Sequence, residues 1–161
     1  MRMTKGFVLV GAALALLLLT VRAQPASAAN GTSKTGIKVV VLPFEINAEQ
    51  ELQYLNTSLP NLLREQLNQD GFETVSGEET KKLIQSQGIK TLDLSTVKDL
   101  ALLSGAKYAV YGSLSKVGET ISIDARLVEA FGLKAPKSLF VVKKGTINIL
   151  PAVQEMEEKI K

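Results

Sequence analysis

The sequence predicts an α/β fold: a two-layer sandwich with a mixed five-stranded sheet and helices on one face or flanking it. Three observations support this. A continuous β-branched run at 38–42 is typical of a strand covered on both faces. Leucines then recur at three- and four-residue steps, as on one helical stripe. After position 108 the apolar period changes to two, which indicates a hairpin. The predicted order is β-α-β-α-α-β-β-β-α.

The first two strands and the helix between them form a predicted crossover unit. Strand 37–42 is expected to end at Pro43, because proline lacks the backbone donor that a ladder needs. Gly71 ends the helix, and residues 72–75 form the second strand. A unit of this kind is parallel and right-handed in nearly all folds.

A proline interrupts the leucine stripe of the first helix. Pro60 would be costly in a helix interior but is tolerated in a first turn. We therefore expect Ser58 to cap the main helix, after a short turn or kinked segment over 48–57. The stripe consists of Leu52, Leu55, Leu59, Leu62, Leu63 and Leu67.

Two short helices follow. Ser76 and the glutamate three places on form a capping box for a helix that Gly88 ends. Asp93 or Ser95 caps the next helix, which Gly105 ends.

The C-terminal third predicts a hairpin, one more strand and a helix. In the hairpin, strands 108–115 and 121–127 are joined by a turn at 117–120 and present one buried and one wetter face. After a break at 134–136, residues 138–143 form the last strand. A final helix then runs over 150–160, started by Thr146 or Asn148, with Pro151 in its first turn.

The N-terminus has the three-part layout of a secretory signal peptide. A basic start precedes an apolar run at 7–21, which is shorter than the roughly 20 residues that a spanning helix needs. We expect cleavage after Ala28, with Ala23 or Ala29 as alternatives, rather than a retained membrane anchor. Residues 1–28 are then the signal peptide, 29–36 a flexible lead-in and 37–161 one domain.

The amino-acid composition excludes several classes of function. Three of the 19 basic residues lie in the signal segment, so the rest of the chain has 16 basic and 16 acidic residues and no net charge. It therefore lacks the basic surface that binding to nucleic acid requires. The chain has no cysteine, so we expect no disulfide and no cysteine-borne lipid anchor; an exported protein without disulfides suggests the periplasm of a Gram-negative bacterium. It also has no histidine, which excludes the common nucleophile systems, and we predict no enzyme, no catalytic or metal site and no cofactor.

Four residues of the hairpin are the candidate binding residues: Tyr111, Ser113, Asp124 and Arg126. Asp124 and Arg126 lie two residues apart on the same face of a strand and can form an ion pair that reaches Ser113 or Ser115 across the hairpin. The more ordinary interpretation is a salt bridge on a partly exposed sheet face.

A phosphate site is not expected, because Gly105 closes a helix and Gly112 lies within a strand, where it marks a bulge or a close helix approach.

Three segments together, "VVVLPFE", "YLNTSLPNLLREQL" and "GAKYAVYGSLSKVGETISIDARLVEA", resemble the amino-terminal domain of TolB and the wider TolB-like group. The similarity spans about 37–130. It implies a two-layer α/β domain in the periplasm that works through protein contacts rather than catalysis. Similar domains occur in the flagellar FlgO group and the curli-secretion CsgG group. These 161 residues contain no propeller, so contacts that TolB makes through its propeller are not expected here.

We therefore expect an exported, non-catalytic protein-interaction or assembly module of the cell envelope, with envelope proteins as partners. Strand addition at a last-strand edge, 139–142, is one mechanism, although Lys143 and Lys144 discourage such pairing. The alternative is a small-ligand sensor or carrier with a pocket between the sheet and the helix after Gly88, lined by Tyr108, Tyr111 and Phe140. Membrane contact is expected only through an uncleaved signal segment.

Overall fold

The computed structural model describes residues 36–161, so the predicted signal peptide and all of the lead-in except Gly36 lie outside the described residues. Five strands form one open mixed sheet in the order β2-β1-β3-β4-β5. The strands are β1 Lys38–Asn47, β2 Glu73–Thr74, β3 Tyr108–Val117, β4 Thr120–Glu129 and β5 Lys137–Lys144. The helices are α1 Leu55–Gln69, α2 Gly77–Ser86, α3 Leu94–Leu103 and α4 Ile149–Ile160, with 3-10 turns at Gln50–Leu52 and Thr146–Asn148.

This architecture confirms the predicted fold class and element order. β1 pairs in parallel with β2 and β3, whereas β3, β4 and β5 form an antiparallel meander. The helices flank the sheet, which was the second of the two expected arrangements. Between residues 36 and 161, no helix is both long and apolar enough to cross a bilayer.

The two faces of the sheet are covered to different extents. One face packs against α1 and α4 in a core that includes Leu59, Leu63 and Met156. The other packs against α3 through Val97 and Leu100, over residues of β1, β3 and the end of β4. On this second face Phe140 of β5 is 52% exposed, so α3 does not cover the sheet as far as its β5 edge.

The prediction that β1 ends at Pro43 is wrong. The strand continues to Asn47, and a register shift between Val41 and Phe44 accommodates the proline. Arg64 of α1 is buried and donates from its Nη2 to the Val41 carbonyl over 2.5 Å, so that this carbonyl has a partner beside the bulge. The strand therefore accommodates the proline through the bulge and continues beyond it.

The predicted start of the first helix is also wrong. α1 begins at Leu55, so Pro60 lies inside it and Ser58 is not its cap; the Ser58 hydroxyl instead donates to the Tyr54 carbonyl. The extra turn buries Leu55 to 2% exposure. Burial of a leucine side chain contributes about 1.5–3 kcal/mol, which offsets much of the cost of an internal proline.

The caps of the two middle helices were predicted correctly. The Ser76 hydroxyl accepts from the Glu79 amide, and Asp93, the first of the two alternatives, accepts from the Thr96 amide over 2.8 Å. Gly105 has a φ of +66° after α3, as its role as a helix stop requires. The final helix begins one residue before the predicted Leu150, directly after Asn148.

Candidate functional site

A groove of about 680 Å³ lies on the second face of the sheet, where the cover from α3 ends. Its floor is formed by β1, β3, β4 and β5, and its wall by the connection between α2 and α3. We call it the sheet groove. The residues that line it are Pro43, Phe44, Glu45, Lys90, Thr91, Leu92, Tyr111, Gly112, Ser113, Asp124, Ala125, Arg126, Ser138, Leu139 and Phe140.

The antiparallel register brings the four predicted residues together in this groove. Tyr111 lies opposite Arg126, and Ser113 lies opposite Asp124. Since alternate residues of a strand share a face, all four belong to the face that α3 leaves partly uncovered. Asp124 is in turn opposite Phe140 on β5, which extends the row toward the edge of the sheet.

Gly112 lets the two central strands approach closely beneath the groove. A Cβ at this position would lie 2.7 Å from the Ala125 Cα and closer still to the Asp124 carbonyl oxygen. The sequence predicted a bulge or a close helix approach here. The bulge is instead in the facing strand β1, and the close approach is to the backbone of β4.

The charged side chains of the groove are not paired with one another. Among the described residues, neither Asp124 nor Arg126 forms an ion pair or a side-chain hydrogen bond, so the predicted salt bridge between them is wrong. Successive same-face residues are separated by about 6–7 Å along a strand, which allows both exposed side chains to extend into solvent instead. Within residues 36–161 the side chains of Glu45 and Lys90 are also without such a partner. The groove thus carries two acidic and two basic groups that are free to contact a ligand.

Sequence reasoning missed Glu45 and Lys90. Glu45 reaches the groove because β1 continues beyond Pro43, and Lys90 because the connection after Gly88 folds back over the sheet. The alternative pocket was expected between the sheet and the helix after Gly88, whereas the groove lies beside the connection that precedes α3, at Lys90, Thr91 and Leu92. Tyr111 and Phe140 line it as predicted, but Tyr108 does not and packs against the opposite core.

The edge of the sheet beside the groove is partly occupied by side chains of the same chain. β5 is an edge strand, as predicted, with β4 as its neighbour. Lys159 of α4 donates to the Phe140 carbonyl over 2.7 Å, and Asn148 donates to the Lys144 carbonyl over 2.6 Å. Because a new strand would compete with these bonds, the groove is the better candidate site than the edge.

A second group of charges lies away from the groove, where the ends of α1 and α4 meet. The Asp70, Glu157 and Glu158 carboxylates lie close enough together to hold a metal ion, but the Lys161 ammonium pairs with all three. Burial, together with the neighbouring Asp70, raises the pKa of Glu157 to about 7. The pKa of Asp70 is lowered by a hydrogen bond from Glu157 and by Lys161. The Lys161 ammonium already pairs with these carboxylates, and we assign the cluster no metal.

Comparison with known proteins identifies structures that share the fold, but it does not show which family the chain belongs to. No protein-family model matches the chain. Over 51 residues it is 47% identical to the outer membrane protein assembly factor BamA of Nitratidesulfovibrio vulgaris strain Hildenborough; the match covers 32% of this chain and 6% of that protein. The lipoprotein GNA1162 of Neisseria meningitidis superposes with a TM-score of 0.56 at 18% identity, covering 69% of this chain and 83% of GNA1162. The C-terminal domain of Escherichia coli LpoB superposes with a TM-score of 0.54 at 20% identity, covering 68% and 83%.

These similarities establish that the chain shares an α/β fold with LpoB and GNA1162. The fold that the TolB resemblance implied is confirmed to that extent. Membership of the TolB-like group, and relationship to the FlgO and CsgG groups, stay predictions.

Proposed function

We propose that this chain is an exported, non-catalytic protein of the bacterial cell envelope that binds a partner protein through the sheet groove. The observation that carries the proposal is the groove itself, which is lined both by unpaired charges of both signs and by the half-exposed ring of Phe140. Charges of both signs set the orientation of a partner, while an exposed aromatic ring supplies the buried anchor of a protein interface.

The comparisons support an envelope role. Over a segment of 51 residues the chain is 47% identical to a protein named as an outer membrane protein assembly factor. The fold of the chain also occurs in a protein named as a lipoprotein. The matched segment is a small part of BamA, so the activity of that whole protein is not transferred. Export through the predicted signal peptide to a periplasmic location completes the proposal.

A crosslinking experiment tests this proposal at the level of single residues. A photoreactive phenylalanine analogue is placed at Phe140 in the groove or, as a matched control, at Tyr54, which is 60% exposed outside it. Illumination in cells of the native organism should give a discrete protein adduct from position 140 and none from position 54. Equal labelling at both positions, or none at 140, would contradict the proposal.

A small-molecule carrier is the second candidate, because 680 Å³ falls within the range of typical ligand pockets. Two acidic and two basic groups favour a ligand with charges of both signs. Native mass spectrometry of the chain purified from its own organism separates the two candidates. A bound small molecule that is lost in Arg126→Ala would favour the carrier, whereas an unliganded chain together with the position-140 adduct favours the protein partner.

A further inference from the structure

The floor of the sheet groove carries side chains in two rows that cross the strands. Strand pairing forms the first row from one residue each of β1, β3, β4 and β5: Glu45, Ser113, Asp124 and Phe140. All four line the groove. A carboxylate only accepts hydrogen bonds, so we call this the acceptor row.

The second row has the opposite hydrogen-bonding character. Tyr111 lies opposite Arg126, and Arg126 lies opposite Ser138. A guanidinium only donates hydrogen bonds, and hydroxyl groups can donate as well, so we call these three residues the donor row. The donor row lies two residues along each strand from the acceptor row, which separates the two by about 6–7 Å.

Tyr111 presents a hydroxyl without a partner from a buried ring. The residue is only 9% exposed, and its side chain packs in the core on the second face of the sheet. Within residues 36–161 the hydroxyl forms no hydrogen bond, yet its oxygen is still accessible. Because Tyr111 lines the groove, this oxygen opens on the groove. The hydroxyl of a buried tyrosine usually has a partner, so a ligand in the groove is expected to supply one here.

The charges of the two rows favour a ligand that is itself charged at two places. In the described part of the chain, Glu45, Asp124 and Arg126 form no ion pair. A basic group is favoured over the acceptor row and a carboxylate over the donor row. With Lys90 on its wall, the groove has two charges of each sign, so its net charge selects neither kind of ligand. The arrangement in rows selects a ligand that carries both.

We infer that the sheet groove binds a segment of the partner protein that carries a carboxylate and a basic group about 7 Å apart. The carboxylate accepts from the Arg126 guanidinium and the Tyr111 hydroxyl, while the basic group lies over Ser113 between the two carboxylates of the acceptor row. The first and third residues of an extended segment have this separation. The inference rests on the proposed function, because it specifies the partner of the same groove.

The Tyr111 hydroxyl provides the first arm of the test. Tyr111→Phe removes the hydroxyl and keeps the buried ring, and Tyr54→Phe removes an exposed hydroxyl outside the groove as the matched control. With the photoreactive phenylalanine analogue at position 140, the yield of the protein adduct in cells should fall at least fivefold in the first variant. It should be unchanged in the second, and equal yields would overturn the inference.

An exchange of charges provides the second arm. Asp124→Arg with Arg126→Asp exchanges the charges of the two rows on β4 without altering the net charge. Glu78→Lys with Lys82→Glu does the same in an exposed ion pair on α2. The adduct should fall at least tenfold in the first variant and persist in the second. Circular dichroism of each variant verifies folding.

The partner segment itself provides the third arm. Mass spectrometry of the digested adduct identifies the segment joined to position 140, which should contain both an acidic and a basic residue. Reversing those two charges in the partner should restore the adduct with the charge-exchanged chain. A segment that lacks either charge, or a failure to restore the adduct, would overturn the inference while the groove still binds a protein. Absence of the adduct from the chain that carries only the analogue would contradict the proposed function as well.

Discussion

The buried Glu157 carboxyl should make the stability of the protein fall as the pH rises from 5 to 7. In the folded chain, burial and Asp70 raise the pKa of Glu157 to about 7 from an ordinary value of 4.5. The folded state therefore keeps a proton that the unfolded state has released over this range. Because the state that binds more protons is favoured by acid, the free energy of unfolding is greatest near pH 5 and decreases as the pH rises.

The size of this effect follows from the pKa difference. Each pKa unit corresponds to about 1.4 kcal/mol, so the free energy of unfolding should fall by up to about 3 kcal/mol between pH 5 and pH 8. The chain has no histidine, which is the side chain whose ordinary pKa lies between 5 and 7. The lowered pKa of Asp70 acts at more acid pH, where stability is lost as the pH falls.

Urea unfolding at pH 5, 6, 7 and 8 measures this dependence, with Glu157→Gln as the comparison. Glutamine keeps the neutral, hydrogen-bonding form, so the variant should show a flat profile and exceed the natural chain in stability at pH 8. A natural chain whose unfolding free energy is constant or increases between pH 5 and pH 7 would refute the assignment of the raised pKa to Glu157.

Three further substitutions probe the fold around the groove, each by thermal and urea unfolding. Gly112→Ala forces a Cβ into the backbone of β4 and should cost several kcal/mol, on the order of severe overpacking; an unchanged melting temperature would contradict the close strand approach. Arg64→Met leaves the Val41 carbonyl without its donor and should cost about 1–3 kcal/mol, a loss that would be absent if the bulge needed no partner. Ser76→Ala removes the cap of α2 and should cost about 1 kcal/mol, whereas Ser76→Asp should retain most of the stability.

The sequence predicted the order of elements because local rules governed it. Helix caps at Ser76 and Asp93 and the stop at Gly105 depend on nearby backbone groups and are visible in the chain itself. Pro43 and Pro60 misled the prediction because tertiary contacts outweighed local preference. The bulge beside Val41 absorbs the first proline, and the burial of Leu55 accompanies the second.

Only the part of the groove that strand pairing determines could be predicted from the sequence. Alternation along the hairpin placed Tyr111, Ser113, Asp124 and Arg126 on one face, and the register brings them together in the groove. The groove also depends on how far α3 extends across the sheet and on the path of the chain around Lys90. Neither of these follows from periodicity, since both are set by packing between segments that are distant in sequence.

The most direct test of the sheet groove is to remove its charges and measure the yield of the crosslinked adduct at position 140. Asp124→Asn with Arg126→Gln neutralises one acid and one base in the groove. Glu78→Gln with Lys82→Gln neutralises the same charges in an exposed ion pair on α2, which serves as the matched control. If the groove binds the partner, the adduct should fall at least tenfold in the first variant and persist in the second, with both melting temperatures unchanged. Equal adduct yields in the two variants would contradict the account.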